Sequence, residues 1–192
     1  MALIFPLFIL ITFLIIVVGS YRLYVSVIQK KNKVQEAFSC VDVQLKKRYD
    51  LIPNILTIAS KYMEHEKSIL EEVTKLRTRA VNMSDLPQNN SEKIKLDRQM
   101  KGLMGQIMVS FENYPDLKAD QTMIIAMQTY NEIEEHISAA RRFYNSAVLE
   151  LNNAVEIFPS SIFAALVGAT KQNFYEIDER ERKAIDARNY LK

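Results

Sequence analysis

Residues that interrupt helices are scarce in this sequence, which has only 4 glycines and 5 prolines among its 192 residues. So low a count argues against a sheet protein, whose many tight turns need both residue types. Charged residues make up 25% of the chain and hydrophobic residues 48%. This balance, with few breakers, is typical of long amphipathic helices. We therefore predict an all-α protein.

The net charge is also small, and cysteine and histidine are few. The net charge of +2 is too small for a nucleic-acid-binding protein, which normally carries a concentrated basic face. The single cysteine, Cys40, has no partner for an internal disulfide. The two histidines are His65 and His136; Glu132 precedes His136 by one helical turn, but a solvated histidine is the commoner explanation of one such pair. We expect no nucleic-acid partner, no cofactor, no metal and no catalytic residue, and hence a protein that is not an enzyme.

A long hydrophobic run opens the chain, where residues 2–19 contain no charge. In a helix these residues span about 27 Å, close to the ~30 Å hydrocarbon core of a bilayer. We predict a transmembrane anchor over residues 1–29. The alternative is a cleaved signal peptide, but no Lys or Arg precedes the run. Basic residues follow it instead, at Arg22, Lys30, Lys31 and Lys33, which predicts an external N-terminus and a cytoplasmic bulk.

A heptad stripe of apolar residues follows the anchor, from Val34 to Ala80, and its phase does not change at Pro53. This continuity predicts one helix over residues 34–82 that is kinked near Pro53, because proline removes a backbone donor. Lys46 and Lys47 point away from the stripe and are interpreted as a solvated face. Two charges fall on it, at Arg48 and Glu66.

Two further helices are predicted after a loop at residues 82–91, over residues 92–113 and 117–158. Between them, Pro115 makes a turn in which Asp116 is expected to cap the next helix. The last helix again carries charges on its apolar face, Glu134 and Arg141, so we predict ion pairs between helices. Together the segments predict an up-and-down antiparallel bundle of three to four helices over residues 30–170. Residues 171–192 form a charged C-terminal helix or a frayed tail.

A short apolar run at residues 162–167 follows "FPSS" and is too short to span a bilayer. Its plainest interpretation is a short helix that plugs the end of the bundle. The alternatives are an interfacial foot in lipid and a patch that binds a neighbouring subunit.

Several of these segments resemble the LemA family of bacterial membrane proteins. The matching segments are "DVQLKKRYDLIPNIL" (Asp42–Leu56), "EHEKSILEEVTKLR" (Glu64–Arg77), "YPDLKA" (Tyr114–Ala119), "ARRFYNSAV" (Ala140–Val148) and "FPSSIFA" (Phe158–Ala164). The resemblance implies one membrane helix, then a helical bundle, with no catalytic residue. Its structural motif residues are Arg48, Tyr49, Asp50, Pro53, Asn54, Tyr114, Pro115, Asp116, Arg141, Arg142, Phe143, Tyr144, Asn145, Phe158 and Pro159. Magnetosome relatives of this type are linked to formation of an intracellular membrane, which implies a role in membrane organisation.

Two functions are consistent with this architecture. The first is a membrane-anchored scaffold that self-assembles and organises or remodels the membrane; the second is an adaptor or regulator that holds another membrane protein or its soluble partner. Self-assembly is expected because the first cytoplasmic helix (~73 Å) is much longer than the second (~33 Å), which leaves part of its stripe uncovered. We predict oligomer contacts at Val34, Phe38, Val41, Ile162 and Leu166.

Overall fold

The computed structural model describes residues 4–84 and 90–175 of the chain. Of these described residues 88% are helical, and none of them lies in a strand, which confirms the all-α prediction. The helices are α1 (Ile4–Ala59), α2 (Lys67–Ser84), α3 (Asn90–Phe111), α4 (Pro115–Ala119), α5 (Gln121–Glu156) and α6 (Ser160–Leu166), with a 3-10 turn at Glu64–Glu66. The central part of the predicted loop, residues 85–89, and the tail beyond residue 175 lie outside the described residues.

Four helices form an up-and-down bundle, in which α1, α2, α3 and α5 share one core. Polar contacts fix their directions. Lys33 and Arg48 of α1 bind Glu150 and Glu134 of α5, at 2.8 and 2.7 Å, so these two helices are antiparallel. Asp42 and Arg48 of α1 bind Lys93 and Asp97 of α3 in the same order, so those two are parallel. The predicted antiparallel bundle is confirmed.

α1 is a single helix that continues from the N-terminal apolar run into the bundle. Its N-terminal part is long and apolar enough to cross a membrane, and none of that stretch is buried by the rest of the chain. The bundle part begins near Val27, which is 1% exposed. By length and composition, α1 therefore suggests a membrane anchor joined to the bundle without a linker.

The prediction of one helix over residues 34–82 is wrong. α1 ends at Ala59, and the chain reverses through residues 60–66 so that α2 packs back against α1. Tyr62 and Met63 are turn residues whose amides donate to the Ala59 carbonyl, at 3.0 and 2.9 Å. Met63 is fully buried, so the turn itself carries an apolar contact that keeps the heptad pattern intact. The pattern ran across two antiparallel helices.

The third predicted helix is also divided, at Asp120. This residue has an extended backbone, and its carboxylate accepts hydrogen bonds from the amides of Thr122 and Met123 at the start of α5, at 2.8 and 3.1 Å. Asp116, the predicted cap, lies instead inside the first turn of α4, where an acidic side chain favours the helix dipole. Asp120 is therefore the N-cap, and the correction moves the cap by four residues.

The expectation that Val34, Phe38 and Val41 lack cover within the chain is wrong. They are 6%, 5% and 0% exposed. The ring of Phe38 packs edge-on against Tyr144 of α5, with centroids 5.4 Å apart. The length argument failed because α1 contributes only about 45 Å to the bundle after residue 29, which α5, at about 54 Å, covers completely. These three residues are core residues and not an open interface.

α6 and the segment that follows it close the end of the bundle next to the N-terminal apolar run. Ala164 is buried, while Ile162 and Leu166 are exposed. The predicted short helix therefore packs on the bundle with one side only. After Gly168, which has a positive φ of 60° that suits glycine, residues 171–175 run extended along α5. The prediction of a helix or frayed end from residue 171 is wrong for these five residues, which are docked on the bundle.

Candidate functional site

A cluster of four charged side chains lies in the middle of the bundle, and it joins three helices. Arg48 of α1 donates to Glu134 Oε1 on α5 at 2.7 Å and to Asp97 on α3. Arg141 of α5 donates to the other oxygen of Asp97. Arg48 and Asp97 are completely buried, while the side chains of Arg141 and Glu134 are 18% and 21% exposed. Two positive and two negative groups make the cluster neutral, which is the condition for burying charge without a large cost.

Electrostatics hold Arg48, Asp97 and Arg141 in their charged states. Burial raises the pKa of the Asp97 carboxyl, but the Arg48 and Arg141 guanidiniums outweigh burial and bring that pKa below its usual value. Burial lowers the pKa of Arg48, and its two carboxylate neighbours raise it above the usual value. Burial also raises the pKa of Tyr130 and Tyr175, so both stay neutral. At neutral pH the cluster is a set of paired ions that tyrosine hydroxyls surround.

Tyr175 brings the C-terminal segment into the cluster. Its hydroxyl donates to Asp97, its side chain is buried, and the Arg141 guanidinium carbon lies 4.8 Å from the centre of its ring. Asp97 therefore accepts from α1, from α5 and from the C-terminal segment. One carboxylate on α3 connects four parts of the chain.

Two asparagines of α5, Asn145 and Asn152, lie two helical turns apart and hold the C-terminal segment in place. Asn145 accepts from the Tyr175 amide at 2.7 Å and donates to its carbonyl at 2.9 Å. Asn152 does the same with Gln172, at 2.9 and 3.0 Å. Tyr144 adds a hydrogen bond to the Asn173 carbonyl at 3.1 Å. These side chains take the place of a neighbouring strand, so that an extended segment is satisfied against a helix.

The proline of the first motif frees a backbone acceptor that a side chain of α2 then satisfies. Pro53 has no amide hydrogen, so the Tyr49 carbonyl loses its usual donor four residues on. Arg77 Nε donates to this carbonyl at 2.7 Å. α1 is continuous through Pro53, and the proline marks the point where α2 is fastened to α1.

At the far end of the bundle, two tyrosines connect the turns. Tyr114 donates to Glu66, and the pKa of Tyr114 is raised chiefly by that hydrogen bond. Tyr62 donates to Asp120 Oδ2 at 3.1 Å. Glu66, the fourth charge on the predicted stripes, is therefore paired with a hydroxyl rather than with a cation. Pro115 begins α4 and positions Tyr114 for this contact.

The predicted motif residues divide into two groups. Arg48, Tyr49, Arg141, Tyr144 and Asn145 meet at the buried cluster or beside it, which confirms the prediction of ion pairs between the helices. The other ten lie away from the cluster. Pro53 and Tyr114 are half-buried, and the exposed ones are Asp50, Asn54, Pro115, Asp116, Arg142, Phe143, Phe158 and Pro159. The structure does not bring them to one site.

The cluster links three helices from inside the bundle, and its two fully buried members are closed to a substrate. Arg48 and Asp97 have no exposed surface, so a ligand would have to separate α1 from α3 to touch them. Within residues 4–84 and 90–175, no group of three or more His, Cys, Asp or Glu side chains has the geometry to hold a metal ion. The chemistry of the cluster is the fixing of helix register by charge pairs.

Comparison with known proteins places this architecture in a family. A family model described as "LemA family" matches residues 37–188, which is most of the chain. The chain belongs to the LemA family. The matched region begins within α1 and contains every residue of the buried cluster. LemA is not a known enzyme family.

A curated relative supports the same assignment. The chain is 24% identical over 184 residues to a protein named "Protein LemA" from Metamycoplasma hominis, and the match covers 93% of this chain and 83% of that protein. This match therefore covers more of the chain than the family model does.

Proposed function

We propose that this LemA protein is a non-enzymatic, membrane-anchored scaffold whose copies assemble and organise the bacterial inner membrane, with the bundle on the cytoplasmic side. The observation that carries the proposal is the continuity of α1, which runs from Ile4 to Ala59 without a break. A flexible linker would let an anchored domain move freely. A continuous helix instead transmits the position of the anchor to the bundle, which is what a scaffold requires.

The sidedness of the proposal rests on charge. Arg22, Lys30, Lys31 and Lys33 all follow the apolar run, and basic residues are retained on the cytoplasmic side. The far end of the bundle then stands about 45 Å from the anchor, since residues 30–59 of α1 are helical. Groups at that end are too far away to be steered by lipid charge.

Self-assembly is supported by the exposed anchor. The side chains of its apolar run, such as Phe8 and Phe13, are 67% and 64% exposed in the single chain. Anchors confined to one bilayer meet at a high effective concentration and pack side by side. Because Val34, Phe38 and Val41 are buried within the chain, the anchor takes their place as the proposed contact between copies.

The composition of the purified particle tests the scaffold against the adaptor. The tagged full-length protein is extracted in mild detergent, and its mass and protein content are measured. A scaffold gives a homogeneous particle that contains this chain alone, with a protein mass that is a multiple of 22.2 kDa. A single copy that carries a stoichiometric second protein contradicts the scaffold and favours the adaptor or regulator.

Three variants test whether the copies assemble through the anchor. Phe8→Asp and Phe13→Asp each place a charge in the proposed anchor contact, while Lys46→Asp changes an exposed side chain of the bundle. Loss of the multimer in the first two variants and not in the third supports assembly through the anchor. An unchanged multimer in all three contradicts that location.

A further inference from the structure

We infer that the base of the bundle, which we call the foot and define as Ile157, Phe158, Ile162 and Leu166, sits in the headgroup and upper acyl region of the bilayer that α1 crosses. This inference rests on the proposed function, because it requires α1 to be a membrane anchor. The occupant of the surface is lipid. The bundle would then touch the membrane at a second place beside the anchor.

The side chains of the foot are apolar and open. Ile157, Phe158, Ile162 and Leu166 are 58%, 75%, 54% and 72% exposed. They lie in and around α6, which touches the rest of the chain through Ala164 and Phe163. Four large apolar side chains thus remain open in and around this short element, although Phe163 and Ala164 pack inward.

The foot lies at the end of the bundle next to the anchor. Lys33 pairs with Glu150, and the antiparallel register continued by six residues brings Glu156, the end of α5, beside Val27. Val27 is indeed buried. On the far side of α6, Lys31 Nζ contacts the Val167 carbonyl at 3.4 Å. α6 is therefore at the level of residues 27–31, just after the apolar run.

This level coincides with the interfacial layer. The proposed anchor covers residues 1–29, and 29 residues in a helix span about 43 Å, close to the ~40–45 Å of a bilayer with both headgroup layers. The last turn of the anchor, which is also the level of α6, therefore reaches the headgroup layer. Interfacial helices place their apolar faces about 5–10 Å into the boundary between headgroups and acyl chains. The foot has the depth and the chemistry for this position.

Charge at the same level favours an anionic surface. Arg22, Lys30 and Lys31 lie on α1 beside the foot, and Lys31 keeps its side chain exposed. Basic side chains next to an interfacial apolar face attract anionic headgroups. Lys171 and Glu156 form an ion pair at the edge of the foot and contribute no net charge.

A second copy of the chain is the less suitable occupant. The foot lies at the end of the bundle next to the anchor, at the level of residues 27–31 of α1. At that level every anchored copy is surrounded by lipid headgroups, whereas a neighbouring copy reaches only one flank. Lipid is therefore the partner that is present at the foot of each copy.

Tryptophan fluorescence provides the test, because the natural chain contains no Trp. Phe158→Trp and Leu166→Trp are made one at a time in the full-length chain, which is reconstituted into phosphatidylcholine and phosphatidylglycerol vesicles with or without brominated acyl chains. Both are expected to show blue-shifted emission that the brominated lipid quenches. Val109→Trp, exposed near the far end of α3, is expected to show neither effect. A fourth variant, Phe8→Trp, reports on the anchor itself.

The outcomes separate this inference from the proposed function. Quenching of Phe8→Trp without quenching of Phe158→Trp and Leu166→Trp overturns the foot and leaves the anchor in place. Blue-shifted emission from the two foot variants that brominated lipid does not quench indicates cover by a second copy and also overturns the lipid assignment. If Phe8→Trp is not quenched, the anchor is wrong, and the proposed function fails with it.

Discussion

Arg48 shows how the bundle depends on charges that are buried in balance. Its guanidinium has no exposed surface, and its two acceptors, Asp97 and Glu134, belong to different helices. Removal of one member leaves the others buried without a counter-charge. The cost of such a stranded charge is much larger than the net worth of the intact pair.

Arg48→Ala is therefore expected to destabilise the protein much more than Lys46→Ala. Stranding the Asp97 and Glu134 charges costs about 3–5 kcal/mol, against less than about 1 kcal/mol for an exposed lysine. Denaturant unfolding of the full-length protein in detergent, followed by the helical circular dichroism signal, measures both. Equal and small losses for the two variants would show that Arg48 is not buried in a charge cluster.

Acid should weaken the bundle through Asp97. Its pKa is below the usual value in the folded state, so between that pKa and the unfolded value of about 4 the unfolded chain binds a proton that the folded chain does not. The stabilisation is complete above about pH 4 and is lost as the pH falls through the folded pKa. Asp120, whose pKa is lowered chiefly by the Met123 amide, acts in the same direction.

Unfolding measurements between pH 7 and pH 2 check this prediction. Asp97→Asn should be less stable at neutral pH and should lose less stability on acidification than the natural chain. Asp50→Asn, a change at an exposed carboxylate, serves as the control and should keep the natural slope. Parallel acid profiles for Asp97→Asn and the natural chain would contradict the role given to Asp97.

At the residue scale the sequence identified three of the four charged members of the cluster. Arg48, Glu134 and Arg141 interrupt apolar stripes that are otherwise regular, and such interruptions are a clear signal of paired charge. Asp97 was missed because the α3 stripe was taken through Leu96, while Asp97 lies one turn after Lys93 and three residues before Met100 on the buried face. Tyr175 gave no periodic signal, because an extended segment that packs on a helix has no repeat.

One hydrogen bond between α2 and α1 runs from Arg77 to the Tyr49 carbonyl, which Pro53 leaves without its usual donor. We predict that Arg77→Ala costs about 1 kcal/mol or more, because the buried Tyr49 carbonyl is left without a donor. In a Pro53→Ala background the amide of residue 53 supplies that donor, so Arg77→Ala should cost less. Arg79→Ala, an exposed change on the same helix, is the control.

A double-mutant cycle on Pro53→Ala and Arg77→Ala measures this coupling by denaturant unfolding. A coupling free energy near zero would mean that Arg77 stabilises α2 by other contacts and that the Tyr49 carbonyl does not need it.

At the element scale, the boundaries failed where no breaker marked them. The helix was predicted to continue through Pro53, and α1 does so. The reversal was missed because it occurs at residues 60–66, which contain neither Gly nor Pro. Tyr62 continues the heptad phase because it packs on the core from within the turn. The turn at Pro115 was found correctly, since proline sets its own backbone geometry.

The missed end of α1 also explains why the prediction of an uncovered apolar stripe was wrong. A helix of 49 residues needs long partners, and a 22-residue neighbour cannot supply them. Because the chain reverses after Ala59, both α2 and α5 pack against α1. The fold class could be predicted from composition and periodicity, but the covered or uncovered state of Phe38 depends on where a helix ends, and periodicity alone does not give that.

At the scale of the whole molecule, α1 provides the proposed anchor and one wall of the bundle. The buried cluster links α1, α3 and α5, and the C-terminal segment adds a fourth connection through Tyr175. In the proposed arrangement, the continuity of α1 sets the height of the foot relative to the membrane.

The central claim is that α1 crosses the membrane and holds the bundle in the cytoplasm, and the reactivity of Cys40 tests it most directly. Cys40 is the only cysteine of the chain and its side chain is exposed. With the outer layers of the cell permeabilised and the inner membrane intact, a membrane-impermeant thiol reagent should leave Cys40 unmodified and should modify it after lysis. Ala2→Cys in a Cys40→Ala background should be modified in both. Modification of Cys40 in cells with an intact inner membrane would contradict the account.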